Sequence, residues 1–116
     1  MRRGNTGMIE NRTEAGYLLD FYGPLLSERR RAVVDMYYNE DMSLSEIASE
    51  IGISRQGVRD IIVKASDELF TLESKLGIAG RFRRVTELAE KAEKLAENSG
   101  DPELLSAIRS IVKAFD

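Results

Sequence analysis

Leu44-Ser45-Glu46-Ile47-Ala48-Ser49-Glu50-Ile51-Gly52-Ile53-Ser54-Arg55-Gln56-Gly57-Val58-Arg59-Asp60-Ile61-Ile62-Val63 carries the strongest structural signal in the chain. It reads as two helices joined by a tight turn. Ser43-Leu44-Ser45-Glu46 is a capping-box pattern, in which the serine hydroxyl meets the third amide and the glutamate reaches back. Gly52 suits the left-handed residue that closes the first of the two helices. Ser54 is placed to cap the second. Two helices crossing steeply over a tight turn force particular positions to be buried or small. Ile47 and Ile51 supply the inner face of the first helix, and Ala48 is small where the second passes. Ile53, Val58 and Ile61 plug the core from the other side. Agreement over so many constrained positions predicts a helix-turn-helix unit; a lone alanine and glycine would mean little.

Working outward, every other segment is helical too. Upstream, Thr13 can cap a helix through Tyr22, with Tyr17, Leu18, Phe21 and Tyr22 at helical spacing, and Gly23-Pro24 ends it. Ser27 then caps a helix with Ala32, Val33, Met36 and Tyr37 inward, running to about Asn39 and the polar turn Asn39-Glu40-Asp41. Downstream, the helix begun at Ser54 runs to about Ser74, burying Val58, Ile61, Ile62, Ala65 and Leu69. Gly77 and Gly80 bound a hinge. Beyond it, Phe82, Val85, Leu88, Ala92 and Leu95 form a 3-then-4 apolar seam. Asn98-Ser99-Gly100 stops that helix, and Asp101-Pro102 starts another, with aspartate as cap and proline in the first turn. Leu104, Leu105, Ile108, Ile111, Val112 and Phe115 line its inner side. Alternating β-branched runs with Asn-Gly or Asp-Gly turns are absent, which argues against sheet. The expected fold is all-α: a helix-turn-helix bundle over residues 13–80 with a helical hairpin over 81–116. Residues 1–12 are polar and are expected to be disordered.

Composition narrows the chemistry. The chain has 116 residues, 42% hydrophobic and 32% charged, the balance of a globular domain. No run is long and apolar enough to insert in a membrane, and the basic N-terminus is followed by no secretory h-region. There is no cysteine and no histidine, which excludes a disulfide scaffold, most zinc sites and every His-dependent nucleophile. The chain is therefore read as cytoplasmic, and the Asn11-Arg12-Thr13 sequon as a chance match. Glu40-Asp41 and Glu46-Glu50 imitate paired carboxylates, yet no partner base, phosphate loop or metal spacing accompanies them. Solvated helix exteriors explain them better. Catalytic residues, metal ligands and cofactors are all read as none, and the chain as no enzyme.

The net charge of −3 looks wrong for a nucleic-acid binder, but its distribution decides more. Residues 1–27 carry three charges of each sign and residues 28–84 carry ten of each, so the deficit lies wholly in 85–116, with four positive and seven negative. In the middle segment the arginines bunch as Arg29-Arg30-Arg31, then Arg55 and Arg59, then Arg81, Arg83 and Arg84. A neutral domain with clustered arginines can present one basic face. If the helix after Ser54 lies in a major groove, its early outward residues are Arg55, Gln56 and Arg59. Arginine bonds guanine O6 and N7 bidentately, and glutamine does the same to adenine. Ser54, Lys64, Arg30 and Arg31 are the candidate phosphate contacts. Each of these residues equally suits an ordinary solvated helix start. Tyr17, Phe21, Tyr22, Tyr37 and Tyr38 could stack bases, but their helical spacing favours packing between helices.

Several runs carry a family resemblance. Leu26-Ser27-Glu28-Arg29-Arg30, Met36-Tyr37-Tyr38-Asn39-Glu40-Asp41, Ser45-Glu46-Ile47-Ala48 and Ile53-Ser54-Arg55-Gln56-Gly57-Val58 resemble the promoter-reading C-terminal domain of bacterial sigma factors. With Leu19-Asp20-Phe21-Tyr22, Pro24-Leu25-Leu26 and Leu72-Glu73-Ser74-Lys75-Leu76-Gly77, the chain resembles more closely the YlxM-type family. These are small bacterial helix-turn-helix proteins encoded beside genes of the signal recognition particle. The likeness spans about residues 17–82. It implies binding of double-stranded DNA through Ser54, Arg55, Gln56 and Arg59. By gene proximity it also implies a part in the signal recognition particle pathway, with the particle's protein or RNA as the alternative partner. The two apolar stripes of the acidic C-terminal hairpin exceed what one small chain is expected to cover, so a homodimer through that hairpin is expected.

Overall fold

A computed structural model describes residues 12–114. Six α-helices occur among them, and no strand: α1 (Arg12–Tyr22), α2 (Glu28–Val34), α3 (Leu44–Ile51), α4 (Arg55–Leu76), α5 (Ile78–Ser99) and α6 (Pro102–Lys113). A 3₁₀ turn, Gly23–Leu25, joins α1 to α2, and a π-helical turn, Asp35–Asn39, continues α2. The chain divides into two compact units, one ending at Gly77 and one beginning at Ile78. Most of the expected N-terminal segment lies outside the described residues, as do Asn11 of the sequon and Phe115. Arg12 does not follow the expectation of disorder. It is the first residue of α1, its guanidinium lies 4.5 Å from the centre of the Tyr37 ring, and it pairs with Asp41 at 3.4 Å. Thr13 accordingly lies inside the helix rather than at its cap.

The first unit is built on α4, whose 22 residues span about 33 Å. Val58, Ile62, Ala65 and Leu69 repeat at 4-3-4 spacing along it and are fully buried. α1, α2 and α3 all pack on this helix. They contribute Ala15, Leu18, Leu19 and Tyr22, then Val33 and Val34, then Ile47 and Ala48. Ile61 of α4 and Ile53 of the turn, both expected in the core, are only half-buried. The true buried stripe is centred on Ile62, which turns Ile61 toward its edge.

The inner face of the second helix also departs from expectation. Val33, Val34 and Tyr38 are buried, whereas Ala32 is exposed and Met36 and Tyr37 are half-buried. The helix passes into the π turn at Asp35. Its i→i+5 bond from the Glu40 amide to the Asp35 carbonyl (3.1 Å) adds a residue to the turn. A 3.6-residue wheel applied through Asn39 therefore loses register. Tyr38, four residues after the buried Val34, reaches the core, and its hydroxyl shares a 3.0 Å hydrogen bond with Ser66, the buried polar residue of α4. Tyr22 caps the same principle at the other end by donating its hydroxyl to Glu73. Both pairs satisfy polar atoms that burial would otherwise penalise. The aromatic residues pack as rings within this framework: Tyr17 against Phe21 and Tyr37 against Tyr38, each at 5.1 Å between centroids.

The second unit is the antiparallel pair α5 and α6. Gly77 closes α4 in a left-handed conformation (φ +63°), but α5 begins at once with Ile78, so Gly80 lies inside a helix and bounds no hinge. Gly100 (φ +76°) makes the turn between the two helices. Asp101 caps α6 by accepting from the amides of Glu103 (3.0 Å) and Leu104 (3.1 Å), with Pro102 in the first turn. The seam expected on α5 holds at Phe82 and Ala92, both half-buried, and fails at its other three positions. Ala79 and Ala96 are buried and Phe82, Thr86, Ala89 and Glu93 half-buried, while Val85, Leu88 and Leu95 are exposed.

Candidate nucleic-acid interface

The helix-turn-helix is held by caps at each of its ends. The Ser43 hydroxyl accepts from the Glu46 amide (3.1 Å) and the Glu46 carboxylate accepts from the Ser43 amide (2.8 Å), completing the capping box. At the other end of α3, Gly52 adopts φ +76°, and the Ala48 carbonyl accepts from both Gly52 (2.9 Å) and Ile53 (3.2 Å). A residue with a Cβ is strained in that conformation, and the turn after it redirects the chain into α4. Ser54 then accepts from the Gly57 amide at 3.0 Å. Gly57 has a second role that sequence reasoning missed. A Cβ there would lie 3.2 Å from the Ser54 hydroxyl and 3.3 Å from Ile53 Cδ1, so the absent side chain leaves room for the cap and for the turn isoleucine.

These caps bring the starts of α3 and α4 to the two sides of an open cleft of about 450 Å³, lined by Ser43, Leu44, Ser45, Ser54, Arg55, Gln56 and Arg59. Two helix N-termini supply partial positive charge and outward-pointing amides, the arrangement that favours anions. Arg55 and Arg59, one turn apart on α4, add two full charges. The cleft thus unites four of the seven residues expected to touch nucleic acid. It adds Ser43, Leu44 and Ser45, which the sequence marks only as a helix start. Two acidic groups stand beside it: Glu46, whose carboxylate accepts from the Ser43 amide, and Asp60, which accepts a 3.0 Å hydrogen bond from the Gln56 side-chain amide.

The remaining three residues lie elsewhere. Lys64 is exposed on α4 and extends the row Gln56–Asp60–Lys64 in steps of four, about 12 Å along the axis from Gln56. Arg30 is held by Glu68 of α4 in a 2.8 Å ion pair, with both side chains about one-third exposed (38% and 34%). Glu68 is twelve residues past Gln56, about 18 Å along the helix, so Arg30 is not part of the cleft. Its guanidinium instead ties α2 to α4. Arg31, its neighbour, is exposed and lies against Gly23. No cluster of metal-ligating residues occurs among the described residues, and no helix among them is long and apolar enough to cross a membrane.

A capped two-helix turn on a core helix, with an arginine-flanked cleft at its leading edge, defines a helix-turn-helix protein. The family model of the YlxM / p13 like helix-turn-helix proteins, UPF0122, matches residues 9–107. The chain is 38% identical to a UPF0122 protein of Thermoanaerobacter sp. (strain X514) over 103 residues, which cover 85% of this chain and 88% of that one. It is 34% identical to the UPF0122 protein YlxM of Bacillus subtilis over 108 residues, 93% and 98% of the two chains. A 69-residue match to a UPF0122 protein of Acetivibrio thermocellus, 60% of this chain and 59% of the relative, reaches 49% identity. The chain belongs to the UPF0122 family.

Proposed function

We propose that this protein is a non-enzymatic, cytoplasmic DNA-binding regulator that reads duplex DNA with α4 and works as a homodimer through its hairpin. The observation that carries the reading is the cleft at the joint start of α3 and α4, where two helix N-termini converge with Arg55, Gln56 and Arg59. With α4 in a major groove, Arg55 and Arg59 address guanine and Gln56 addresses adenine. Ser54 and Lys64 meet phosphates, as does Arg31. Arg30 joins them only by releasing Glu68. The sigma-like resemblance of the same runs supports a promoter-proximal target, and gene proximity in the family supports a place in the signal recognition particle pathway.

The test is binding of the full chain to random duplex DNA, to a site enriched by selection, and to signal recognition particle RNA, across a salt series. The expected outcome is tight binding of the selected duplex. Arg55→Ala, Gln56→Ala and Arg59→Ala should each relax preference at one base position, at about 1–3 kcal/mol. A selected site that binds all three variants like the parent refutes the major-groove reading. Preference for the RNA over every duplex makes the particle accessory the function instead.

A further inference from the structure

Gln56 and Asp60 stand one turn apart on α4, both exposed, and the Gln56 Nε2 donates to the Asp60 Oδ1 at 3.0 Å. A carboxamide has two unlike ends: a nitrogen with two N–H donors and an oxygen that accepts. Alone on a helix surface it can turn either end to a neighbour. A carboxylate only accepts, so it takes the nitrogen and repels the oxygen. The angular order around the helix adds to this. At about 100° per residue, Asp60 lies about 40° to one side of Gln56 and Arg59 about 60° to the other. An anion favours the nitrogen end and a cation the oxygen end, so both neighbours bias the amide the same way. Gln56 then has one N–H committed to Asp60. Its second N–H and Oε1 remain side by side, an edge of one donor and one acceptor.

That edge complements one base. In the major groove adenine presents the acceptor N7 beside the donor N6–H. Guanine presents two acceptors, N7 and O6, which a carboxamide serves only by turning both N–H groups toward them. With one N–H held by Asp60, a guanine at this position sets its O6 against Oε1. We infer that Asp60 is a positioning residue for base readout, which holds the Gln56 amide so that its position accepts adenine and refuses guanine. This rests on the major-groove reading of α4 and deepens it. A glutamine–aspartate pair at this spacing also steadies a helix slightly. That effect touches stability and not the choice of base, so the test reads the choice.

The experiment uses fluorescence anisotropy of the full chain on the duplex enriched by selection. The duplex is varied between adenine and guanine at the base position that Gln56→Ala relaxes. Asp60→Ala, Gln56→Ala and Gln56→Ala/Asp60→Ala are compared with the parent, and circular dichroism melts verify that each is folded. The parent is expected to prefer adenine by at least about tenfold, within the range of a bidentate pair. Asp60→Ala should narrow that ratio by about threefold or more, the coupling expected of two side chains in contact. Repulsion between Asp60 and the phosphates acts on both duplexes alike and cancels in the ratio. In the Gln56→Ala background, removing Asp60 should leave the ratio unchanged. A ratio that Gln56→Ala abolishes but Asp60→Ala leaves intact overturns the positioning role alone and leaves the major-groove reading standing. A narrowing by Asp60→Ala that persists without Gln56 overturns it too, since Asp60 would then act on the base directly. A parent with no preference for adenine there, or a selected site that binds Gln56→Ala like the parent, overturns the positioning role together with the Gln56 readout. If Arg55→Ala and Arg59→Ala also bind like the parent, the major-groove reading itself fails.

Discussion

Asp60 shows how a single residue reshapes the candidate interface. Its carboxylate holds the Gln56 amide from one turn away and places a negative charge beside the row that leads to Lys64. Asp60→Ala removes a charge that repels phosphate. Affinity for all duplexes is expected to rise by about 1 kcal/mol, roughly fivefold at low salt, as measured by fluorescence anisotropy. Unchanged affinity would mean that this row faces away from the bound duplex. Gly57 argues in the same way about stability. Glycine to alanine within a helix ordinarily gains about 0.5–1 kcal/mol. Here the new Cβ presses on the Ser54 hydroxyl, which its own capping bond to the Gly57 amide holds in place. Gly57→Ala should therefore not raise the melting temperature. Both residues sit in the quoted motif, yet only the folded geometry reveals what each one touches.

Within elements, caps are the features the chain announces most openly. Ser27, Ser43, Ser54 and Asp101 each accept the amides that their positions require. A cap is a local event, decided over three or four residues, so local reading suffices. Buried faces are less legible. Ile62 is fully buried while Ile61 is half-buried. Ile62→Ala should cost about 2–5 kcal/mol and Ile61→Ala clearly less, in paired denaturant melts. Equal losses would show that the α4 stripe is centred elsewhere. In α5, the Thr86 hydroxyl is buried with no hydrogen-bond partner among the described residues. Thr86→Val keeps the shape and removes the orphaned group, and is expected to stabilise by about 1 kcal/mol, within the usual cost of an unsatisfied polar atom. A destabilised valine variant would show that the hydroxyl has a partner after all. The π turn at Asp35–Asn39 is invisible to a 3.6-residue wheel because it is closed by a hydrogen bond five residues long, from the Glu40 amide to the Asp35 carbonyl.

At the scale of the whole molecule, the arginine clusters separate by role. Arg31→Ala and Lys64→Ala are each expected to lower the salt slope of DNA binding by about one, the signature of one lost phosphate contact. Arg30→Ala should act mainly on stability, since its partner is Glu68; a melt alongside the titration separates the two effects. An unchanged slope for Arg31→Ala removes α2 from the interface. The all-α class, the helix-turn-helix and its caps, the turn glycines Gly52, Gly77 and Gly100, and the neighbourhood of Arg55, Gln56 and Arg59 are legible from the amino-acid order. All of these follow from interactions within a turn or two of chain, which hydrogen-bond geometry and backbone sterics settle locally. That Ser43, Leu44 and Ser45 share the cleft, that Arg30 is committed to α4, and which residues of α5 are exposed emerge from the packing of helix on helix. Each of those depends on which side of one helix meets another. Apolar periodicity leaves that open by a rotation of one residue, about 100°, and the packing of distant segments closes it.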